Sequence, residues 1–258
     1  MNFKETAAYL INAEEKKTTV PKITIDRHPE LTIEEAYKIQ HHLVDLKEQK
    51  GQRVAGLKMG LTSEAKLKQM NVEDPIYGHV FDYMIMSHGE ELDFEEHIHP
   101  KVEPEIGFVL EKDLEGPGIT GTDVLEATKY VFPAIEVIDS RYENFNFTLP
   151  DVIADNTSAS KVVFGSDLAN PLDIELDLVG VTLAINGRIK SLGAGAAVLG
   201  QPAHAIARLA NMLAEEGKKV EANVPILSGA ITEAITLNPG DYVNARLGGI
   251  GEVSFFAV

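Results

Sequence analysis

Cysteine and tryptophan are absent from the 258 residues, and basic residues are few. The lack of cysteine excludes disulfides, thiolate metal sites and a cysteine nucleophile. Because 23 Lys and Arg stand against 40 Asp and Glu, the formal net charge is −17. Nucleic acids and anionic membrane surfaces bind to basic patches, so neither is an expected partner.

Long apolar runs are also absent. No window approaches the roughly 18 uninterrupted apolar residues of a membrane span. Residues 1–17 carry charges every few positions and lack the apolar region of a signal peptide. With 44% hydrophobic and 24% charged residues, the composition predicts an acidic, soluble, cytoplasmic protein.

Apolar spacing predicts three main helices. The first covers Phe3–Glu14, and the second begins after Thr32, whose T-I-E-E sequence is typical of a capping box. A third covers about 202–216 and ends at Gly217. Short apolar runs bounded by Gly, Pro, Asn and Asp predict strands, and Asn186-Gly187 predicts a hairpin. We therefore expect a small helical N-terminal part packed on a larger, strand-rich α+β body.

The stretch HPKVEPEIGFVL contains the most informative residues. Glu103 and Glu105 are two positions apart, so on a strand their side chains project from the same face. Pro104 between them predicts an edge or irregular segment, because proline donates no ladder hydrogen bond. Glu136 stands alone in the apolar run VFPAIEVID, where an ionised carboxylate is costly to bury unless it is paired or binds a cation. Three such carboxylates form an oxygen site that Mg²⁺ or Mn²⁺ accepts.

Each candidate also has an alternative that involves no chemistry. E-x-E pairs arise by chance in an acidic chain, and most face solvent. His97 and His99 form an H-x-H pair that suits Zn²⁺, but we expect both at the surface. Lys58 lies at the end of an apolar strand. If it is buried, it can donate or accept protons or form a Schiff base; the alternative is a lysine that reaches solvent.

A polar turn follows at IADNTSAS. Asp155, Asn156 and Ser158 lie there between apolar runs. They can bind a polar ligand, or they can cap a helix or form an Asx-turn.

Four stretches occur in an order that resembles a known family. The sequence is similar to the 2-keto-4-pentenoate hydratase / 4-oxalocrotonate decarboxylase family of the fumarylacetoacetate hydrolase-like superfamily. The stretches are GLKMGLTSEAKLKQMNVEDPIYG, KVEPEIGFVL, PAIEVIDSRYENFNFTLPDVIADNTSAS and GAGAAVLGQPAHAIARLANMLAEEG. The resemblance implies a mixed β-roll body with a helical N-terminal region, which we place at 71–258 and 1–70, as two parts or one cooperative unit.

The resemblance also implies roles for single residues. Glu103, Glu105 and Glu136 correspond to the ligands of a divalent metal, usually Mg²⁺, and Lys58 corresponds to the active-site lysine. The residues assigned to the substrate site are Leu61, Ile76, Asp155, Asn156 and Ser158.

Ile76 favours the decarboxylase branch. Many hydratases have an acidic residue two positions before the glycine that is Gly78 here. The motif KMGLTSEAK, which ends at Lys66, also resembles the decarboxylase version. An apolar side chain suits the loss of neutral CO₂ from a poorly solvated carboxylate. We expect decarboxylation of 4-oxalocrotonate to 2-hydroxypenta-2,4-dienoate in the meta-cleavage catabolism of aromatic hydrocarbons.

Other functions stay open. The nearest is 2-hydroxypenta-2,4-dienoate hydratase; another is a C–C hydrolase, although no convincing His–Glu pair stands out. A protein that binds small acids without catalysis and carries a structural ion is an alternative of a different class. The resemblance further implies a homo-oligomer that associates with the hydratase of the same pathway and acts on a small 2-oxo dicarboxylic acid.

Overall fold

Helices at the start of the chain cover one side of the molecule. The computed structural model describes residues 2–63, 67–68 and 74–258. Within these residues α1 spans Phe3–Lys16, α2 Ile23–Asp26 and α3 Ile33–Gln49. The predicted capping box begins α3: the Thr32 hydroxyl accepts from the Glu35 amide at 3.2 Å, and the Glu35 carboxylate accepts from the Thr32 amide at 3.1 Å.

Among the described residues, three further α-helices interrupt the strands. They are α4 (Gly121–Ala127), α5 (Leu149–Ala154) and α6 (Pro202–Glu215). The prediction for α6 is confirmed, and Gly217 follows its end with a φ of 68°, a conformation that favours glycine. No helix in the described part of the chain has both the length and the hydrophobicity that a membrane crossing requires.

The strands form two sheets in the described residues. The larger sheet has the order β2-β1-β10-β5-β6-β7-β3, with β11 paired to β5 beside β10. Its strands are β1 (Val54–Gly60), β2 (Ile76–Phe81), β3 (Ile85–Ser87), β5 (Lys101–Leu110), β6 (Thr128–Ile138), β7 (Ala159–Phe164), β10 (Pro225–Leu227) and β11 (Ile235–Thr236). Both parallel and antiparallel pairs occur in it, so the sheet is mixed.

A smaller sheet has the order β4-β13-β12-β8-β9. Its strands are β4 (Glu91–Leu92), β8 (Gly180–Ile185), β9 (Arg188–Ala194), β12 (Tyr242–Leu247) and β13 (Gly251–Ala257). The predicted hairpin joins β8 to β9 through Asn186 and Gly187, whose φ angles are 53° and 74°. Such a two-residue turn matches the twist of the strands.

Pro104 lies in the middle of the larger sheet, so the prediction of an edge position is wrong. Strand β5 pairs with β6 on one side and with β10 and β11 on the other. Between β10 and β11 the ladder is interrupted, and there the Pro104 carbonyl accepts from the Ile231 amide at 3.1 Å. The N–H and C=O of a strand residue point to the same side of the strand. The N–H that proline lacks would therefore face this interruption, where the ladder does not need it. The prediction of an irregular segment is confirmed.

The two faces of the larger sheet belong to different hydrophobic clusters. One cluster joins this sheet to the smaller sheet and to α6, and it includes Ile106 and Ile135. The other cluster joins it to α1 and α3, and it includes Val109 and Ala134. Because side chains alternate along a strand, Glu103, Glu105 and Glu136 project from the face that the N-terminal helices cover.

Strand β1 precedes residue 70 and is a member of the larger sheet. The predicted boundary between residues 70 and 71, and Lys66 of the KMGLTSEAK motif, lie outside the described residues. The division into two parts therefore stays a prediction.

Candidate metal centre and active site

Three glutamates meet at the centre of the larger sheet. Glu103 and Glu105 lie on β5, and Glu136 on β6 is the direct cross-strand partner of Glu103. One carboxylate oxygen from each lies within 4.8 Å of the others. All three residues are buried. The pairing register therefore brings together two residues that are more than thirty positions apart in sequence.

Burial strongly disfavours three negative charges here. Desolvation raises the pKa of Glu105 well above its ordinary value, and the charges of Glu136 and Glu103 raise it further against the opposing effect of Lys58. Burial likewise raises the pKa of Glu136 to about 7, although Lys58 opposes this shift. A cation among the oxygens opposes both shifts, because its charge stabilises the ionised carboxylates.

The donor set fits a hard divalent cation. Oε2 of Glu105 accepts from the Gly229 amide at 2.7 Å. Oε1 is buried and has no hydrogen-bond partner among the described residues, and a bare buried carboxylate oxygen is costly. Oxygen ligands of this kind suit Mg²⁺, Mn²⁺ or Ca²⁺.

Gly229 supports the glutamates, and our sequence analysis missed it. Its φ is +104°, and a Cβ at this position would lie 2.0 Å from Oγ1 of Thr62. Only glycine therefore fits. The residue lies in the chain between β10 and β11, where the interrupted ladder frees its amide for Glu105. No local sequence signal indicates this contact.

Lys58 is buried beside the glutamates. It is 2% exposed, its Nζ lies 2.5 Å from Oε1 of Glu136, and it donates to the Thr157 carbonyl at 2.9 Å. The alternative of a lysine that reaches solvent is therefore wrong. The ammonium group is held in one place by two acceptors.

The polar turn has an unusual backbone. Asn156, Thr157 and Ser158 have φ angles of 49°, 53° and 57°, a left-handed conformation that is costly for a β-branched residue such as Thr157. A Cβ on Gly78 of β2 would lie 2.3 Å from Oγ1 of Thr157, so the turn packs closely on that strand. The hydroxyls of Thr157 and Ser158 are buried and have no hydrogen-bond partner among the described residues. Our sequence analysis named Ser158 but missed Thr157.

Asp155 and Asn156 contact the protein itself. The guanidinium of Arg141 pairs with the Asp155 carboxylate through Nε at 2.5 Å, and it also donates to the carbonyls of Asp139, Asp155 and Ala159. The Asn156 side chain pairs with the backbone N–H and C=O of His79. These contacts fix the start of the turn. A contact of Asp155 or Asn156 with substrate stays a prediction.

A cavity of about 180 Å³ adjoins this cluster. Its polar lining includes Lys58, Glu103, Glu136, Thr157, Ser158 and Thr62. Its apolar lining includes Leu61, Ile76, Ile138, Phe145, Phe147 and Val152. The structure thus brings Leu61, Ile76 and Ser158 to one cavity with Lys58 and two of the three glutamates.

The histidine pair has other partners. His97 is buried rather than exposed as expected, and its Nδ1 lies 2.9 Å from the Asp93 carbonyl. Nε2 of His99 lies 2.6 Å from the Ser140 carbonyl. Neither histidine is among the clustered metal-ligand atoms found in the described residues, so nothing in this geometry supports a Zn²⁺ site.

Comparison with known proteins places the chain in a family. It is 47% identical to 4-oxalocrotonate decarboxylase from Pseudomonas sp. (strain CF600), over 96% of this chain and 94% of that protein. The chain belongs to the 2-keto-4-pentenoate hydratase / 4-oxalocrotonate decarboxylase family. The hydratase side is represented by 2-keto-4-pentenoate hydratase from Paraburkholderia xenovorans (strain LB400), which is 39% identical over 88% of this chain and 85% of that protein. No protein-family model matches the chain.

Solved structures of this family and its superfamily agree with the fold. The structure of 4-oxalocrotonate decarboxylase from Pseudomonas putida G7, complexed with magnesium and adipate, matches with a TM-score of 0.96 at 43% identity, over 99% of this chain and 97% of that chain. Fumarylacetoacetate hydrolase from Exiguobacterium antarcticum matches with a TM-score of 0.62 at 13% identity, over 79% of this chain and 74% of that chain, which is a likeness of fold alone. The predicted α+β fold of the fumarylacetoacetate hydrolase-like type, with a small N-terminal helical region, is confirmed.

Proposed function

We propose that the chain is a carbon–carbon lyase that decarboxylates 4-oxalocrotonate (2-oxo-3-hexenedioate) to 2-hydroxypenta-2,4-dienoate and CO₂. One observation carries this choice within the family. The wall that completes the cavity around Lys58 and the glutamates is apolar, and it includes Ile76. An apolar wall destabilises a carboxylate that must leave as neutral CO₂. Of the relatives compared above, the decarboxylase shares more residues with this chain than the hydratase does.

The reaction needs one proton and a place for an electron pair. The bond between C5 and the C6 carboxylate breaks, and CO₂ leaves. The electron pair moves through C4 and C3 to the C2 oxygen, and one proton completes the 2-hydroxy dienoate. The product is therefore a dienol, formed without water or an oxidant.

Glu103, Glu105 and Glu136 would hold the divalent ion. When bound, a Mg²⁺ ion supplies positive charge that binds the 2-oxo acid and stabilises the enolate. The solved relative's complex with magnesium and adipate, a six-carbon dicarboxylate, supports this assignment. The unpartnered Oε1 of Glu105 supports it from this chain's own residues.

Lys58 would hold the proton near the developing enolate. Its ammonium group has three protons, and Glu136 and the Thr157 carbonyl engage two of them. The third proton is then free to form a hydrogen bond to the C2 oxygen. The hydroxyls of Thr157 and Ser158, which line the same cavity, would orient the acid.

Hydration of 2-hydroxypenta-2,4-dienoate is the second candidate, and a hydratase relative supports it. Hydration needs a group that deprotonates water. In the described lining of the cavity, the carboxylates are the proposed metal ligands Glu103 and Glu136. A general base separate from the metal site is therefore missing from these residues, which favours decarboxylation.

Product analysis separates the candidates. Protein with Mg²⁺ receives 4-oxalocrotonate in one assay, which measures CO₂, and 2-hydroxypenta-2,4-dienoate in another, which measures 4-hydroxy-2-oxopentanoate. We expect CO₂ without hydration. Hydration without CO₂ would make the chain a hydratase. Stabilisation by Mg²⁺ without either product would favour the protein that binds acids without catalysis.

The cellular setting is also part of the proposal. We infer that the chain serves aromatic meta-cleavage catabolism in the cytoplasm, where a doubly charged ring-cleavage product is retained. We propose a homo-oligomer, supported by Ile189 and Leu192, which are 61% and 74% exposed on β9 at the edge of the smaller sheet. A complex with the pathway hydratase is consistent with a product that is the hydratase's substrate.

A further inference from the structure

A second, larger cavity also borders Ile76. Its volume is about 830 Å³, and its lining combines apolar and aromatic residues, among them Tyr37, Tyr77, Leu149 and Met212, with charged residues, among them Glu34, Asp74, Glu215 and Glu216. The rings of Tyr37 and Tyr77 stack there with centroids 4.8 Å apart. Ile76 also lines the 180 Å³ cavity that holds Lys58. The side chain of this one residue therefore borders both spaces.

Ile76 is held firmly in this position. It is the first residue of β2 and pairs with Gly60 of β1. A Cβ on Gly60 would lie 3.1 Å from Cγ1 of Ile76, so the isoleucine side chain covers the glycine backbone. The residue is 4% exposed. Tight packing on a strand makes Ile76 a fixed partition rather than a mobile side chain.

The sizes of the two spaces matter for selectivity. Cavities for drug-sized ligands measure about 300–1,000 Å³, so the smaller space suits only a short acid. The larger space lies within that range and offers apolar and aromatic surface. Removal of the partition would let a longer carbon chain pass from one space into the other.

We propose that Ile76 is a specificity-determining residue that limits the length of the dicarboxylic acid. This inference rests on the proposed function, and it names the feature that selects a six-carbon acid. A smaller side chain at this position joins the two cavities. Acids with seven or eight carbons then place their additional methylene groups beside Met212 and the tyrosine pair.

Saturated dicarboxylates test the proposal without turnover. The dissociation constants of adipate, pimelate and suberate are measured by calorimetry on Mg²⁺-loaded protein. In the wild type we expect each added methylene to weaken binding by about tenfold or more. In Ile76→Ala, the weakening of binding caused by each added methylene should be about tenfold smaller than in the wild type. Ile76→Val should give an intermediate dependence on length, and it serves as the test if Ile76→Ala does not fold.

Two matched variants control for a general loosening of the site. Met212→Ala enlarges the larger cavity alone, and Val80→Ala truncates a buried residue of the same strand that lines neither cavity. Both should keep the wild-type dependence on length. An unchanged profile in Ile76→Ala and Ile76→Val, or an equal change in either control, would overturn the inference.

The outcomes also distinguish this inference from the proposed function. If the Ile76 variants change the dependence of binding on acid length but the wild type releases no CO₂ from 4-oxalocrotonate, the role of Ile76 stands and the decarboxylase function is rejected. CO₂ release with an unshifted profile retains the decarboxylase and rejects the partition. Failure of all three acids to bind the wild type would overturn the inference, and CO₂ release from 4-oxalocrotonate would still decide the proposed function.

Discussion

Lys58 and Glu136 form a buried ion pair, with 2.5 Å between Nζ and Oε1, although their strands β1 and β6 are separated by two others in the sheet. Both side chains are almost fully excluded from solvent. A buried charge that loses its partner is strongly destabilising. The pair therefore holds the proposed proton donor directly against the proposed metal site.

Replacement of Lys58 tests the proton donor. We expect Lys58→Met to lower the rate of CO₂ release by about 10²–10⁴-fold, the usual contribution of a positioned acid or base. Stabilisation by Mg²⁺ should persist, because the three carboxylates remain. Thermal unfolding with and without Mg²⁺ measures the second effect. As a control, Lys38→Met removes a lysine from an exposed pair with Glu34 and should change neither the rate of CO₂ release nor the stabilisation by Mg²⁺. A wild-type rate of CO₂ release in Lys58→Met would show that Lys58 is not the proton donor.

Glu105→Gln separates the metal site from the fold. Without metal, the variant should have a higher free energy of unfolding than the wild type. In the wild type, folding forces the Glu105 carboxyl either to take up a proton or to be buried as a charge, and glutamine avoids both costs. The increase in the free energy of unfolding that Mg²⁺ gives the wild type should disappear. Urea titrations at two Mg²⁺ concentrations measure both effects. Glu111→Gln, at an exposed site just after β5, is the matched control, and retention of the Mg²⁺ effect in Glu105→Gln would contradict the ligand assignment.

Substitutions at Asp155 and at Ser158 should have different effects on stability and on KM, although the two residues lie only three positions apart. Asp155→Asn leaves the buried Arg141 guanidinium without its paired carboxylate, so we expect a loss of about 3–5 kcal/mol in the free energy of unfolding. Ser158→Ala removes an unpartnered hydroxyl from the cavity wall, so it should raise KM with little change in stability. Denaturation curves and steady-state kinetics on both variants provide the comparison, and a reversed pattern would make Asp155 the substrate contact.

His79 gives the protein a pH-dependent stability. Burial, together with the charges of His41 and Lys218 and against the opposing charge of Glu216, lowers its pKa from the ordinary 6.5 to about 4. As the pH falls from 6.5 towards 4, the unfolded chain takes up a proton that the folded chain does not, so stability decreases. In His79→Gln, the free energy of unfolding should decrease less as the pH falls. Urea titrations from about pH 7 to about pH 4.5 measure this difference. The exposed His88→Gln is the control, and an unaltered slope in His79→Gln would assign the effect to other groups.

Local and periodic signals predicted much of this molecule. The capping box at Thr32 and the Asn186-Gly187 hairpin depend on neighbouring residues, so the sequence alone reveals them. The E-x-E spacing of Glu103 and Glu105 predicts a shared face because side chains alternate along a strand. Glu136 joins them through the register between two strands, which the spacing of residues does not reveal. The family resemblance indicated this third residue.

Other features depend on contacts between distant parts of the chain. Thr157 adopts a left-handed conformation that its residue type disfavours. It packs there against Gly78 of β2, which has no side chain in the way. Gly229 donates to Glu105 because the ladder beside β5 is interrupted, and the same interruption accommodates Pro104 at a central position. The partner of Asp155 is a buried arginine fourteen residues earlier. No periodicity or local motif indicates such contacts.

The most direct test of this account is the rate of CO₂ release from 4-oxalocrotonate by metal-stripped protein, before and after the addition of Mg²⁺. The account predicts negligible release without the ion, and restored release with one CO₂ and one 2-hydroxypenta-2,4-dienoate for each substrate consumed. Release at the full rate without a divalent ion, or consumption of substrate without CO₂ after Mg²⁺ is restored, would contradict it.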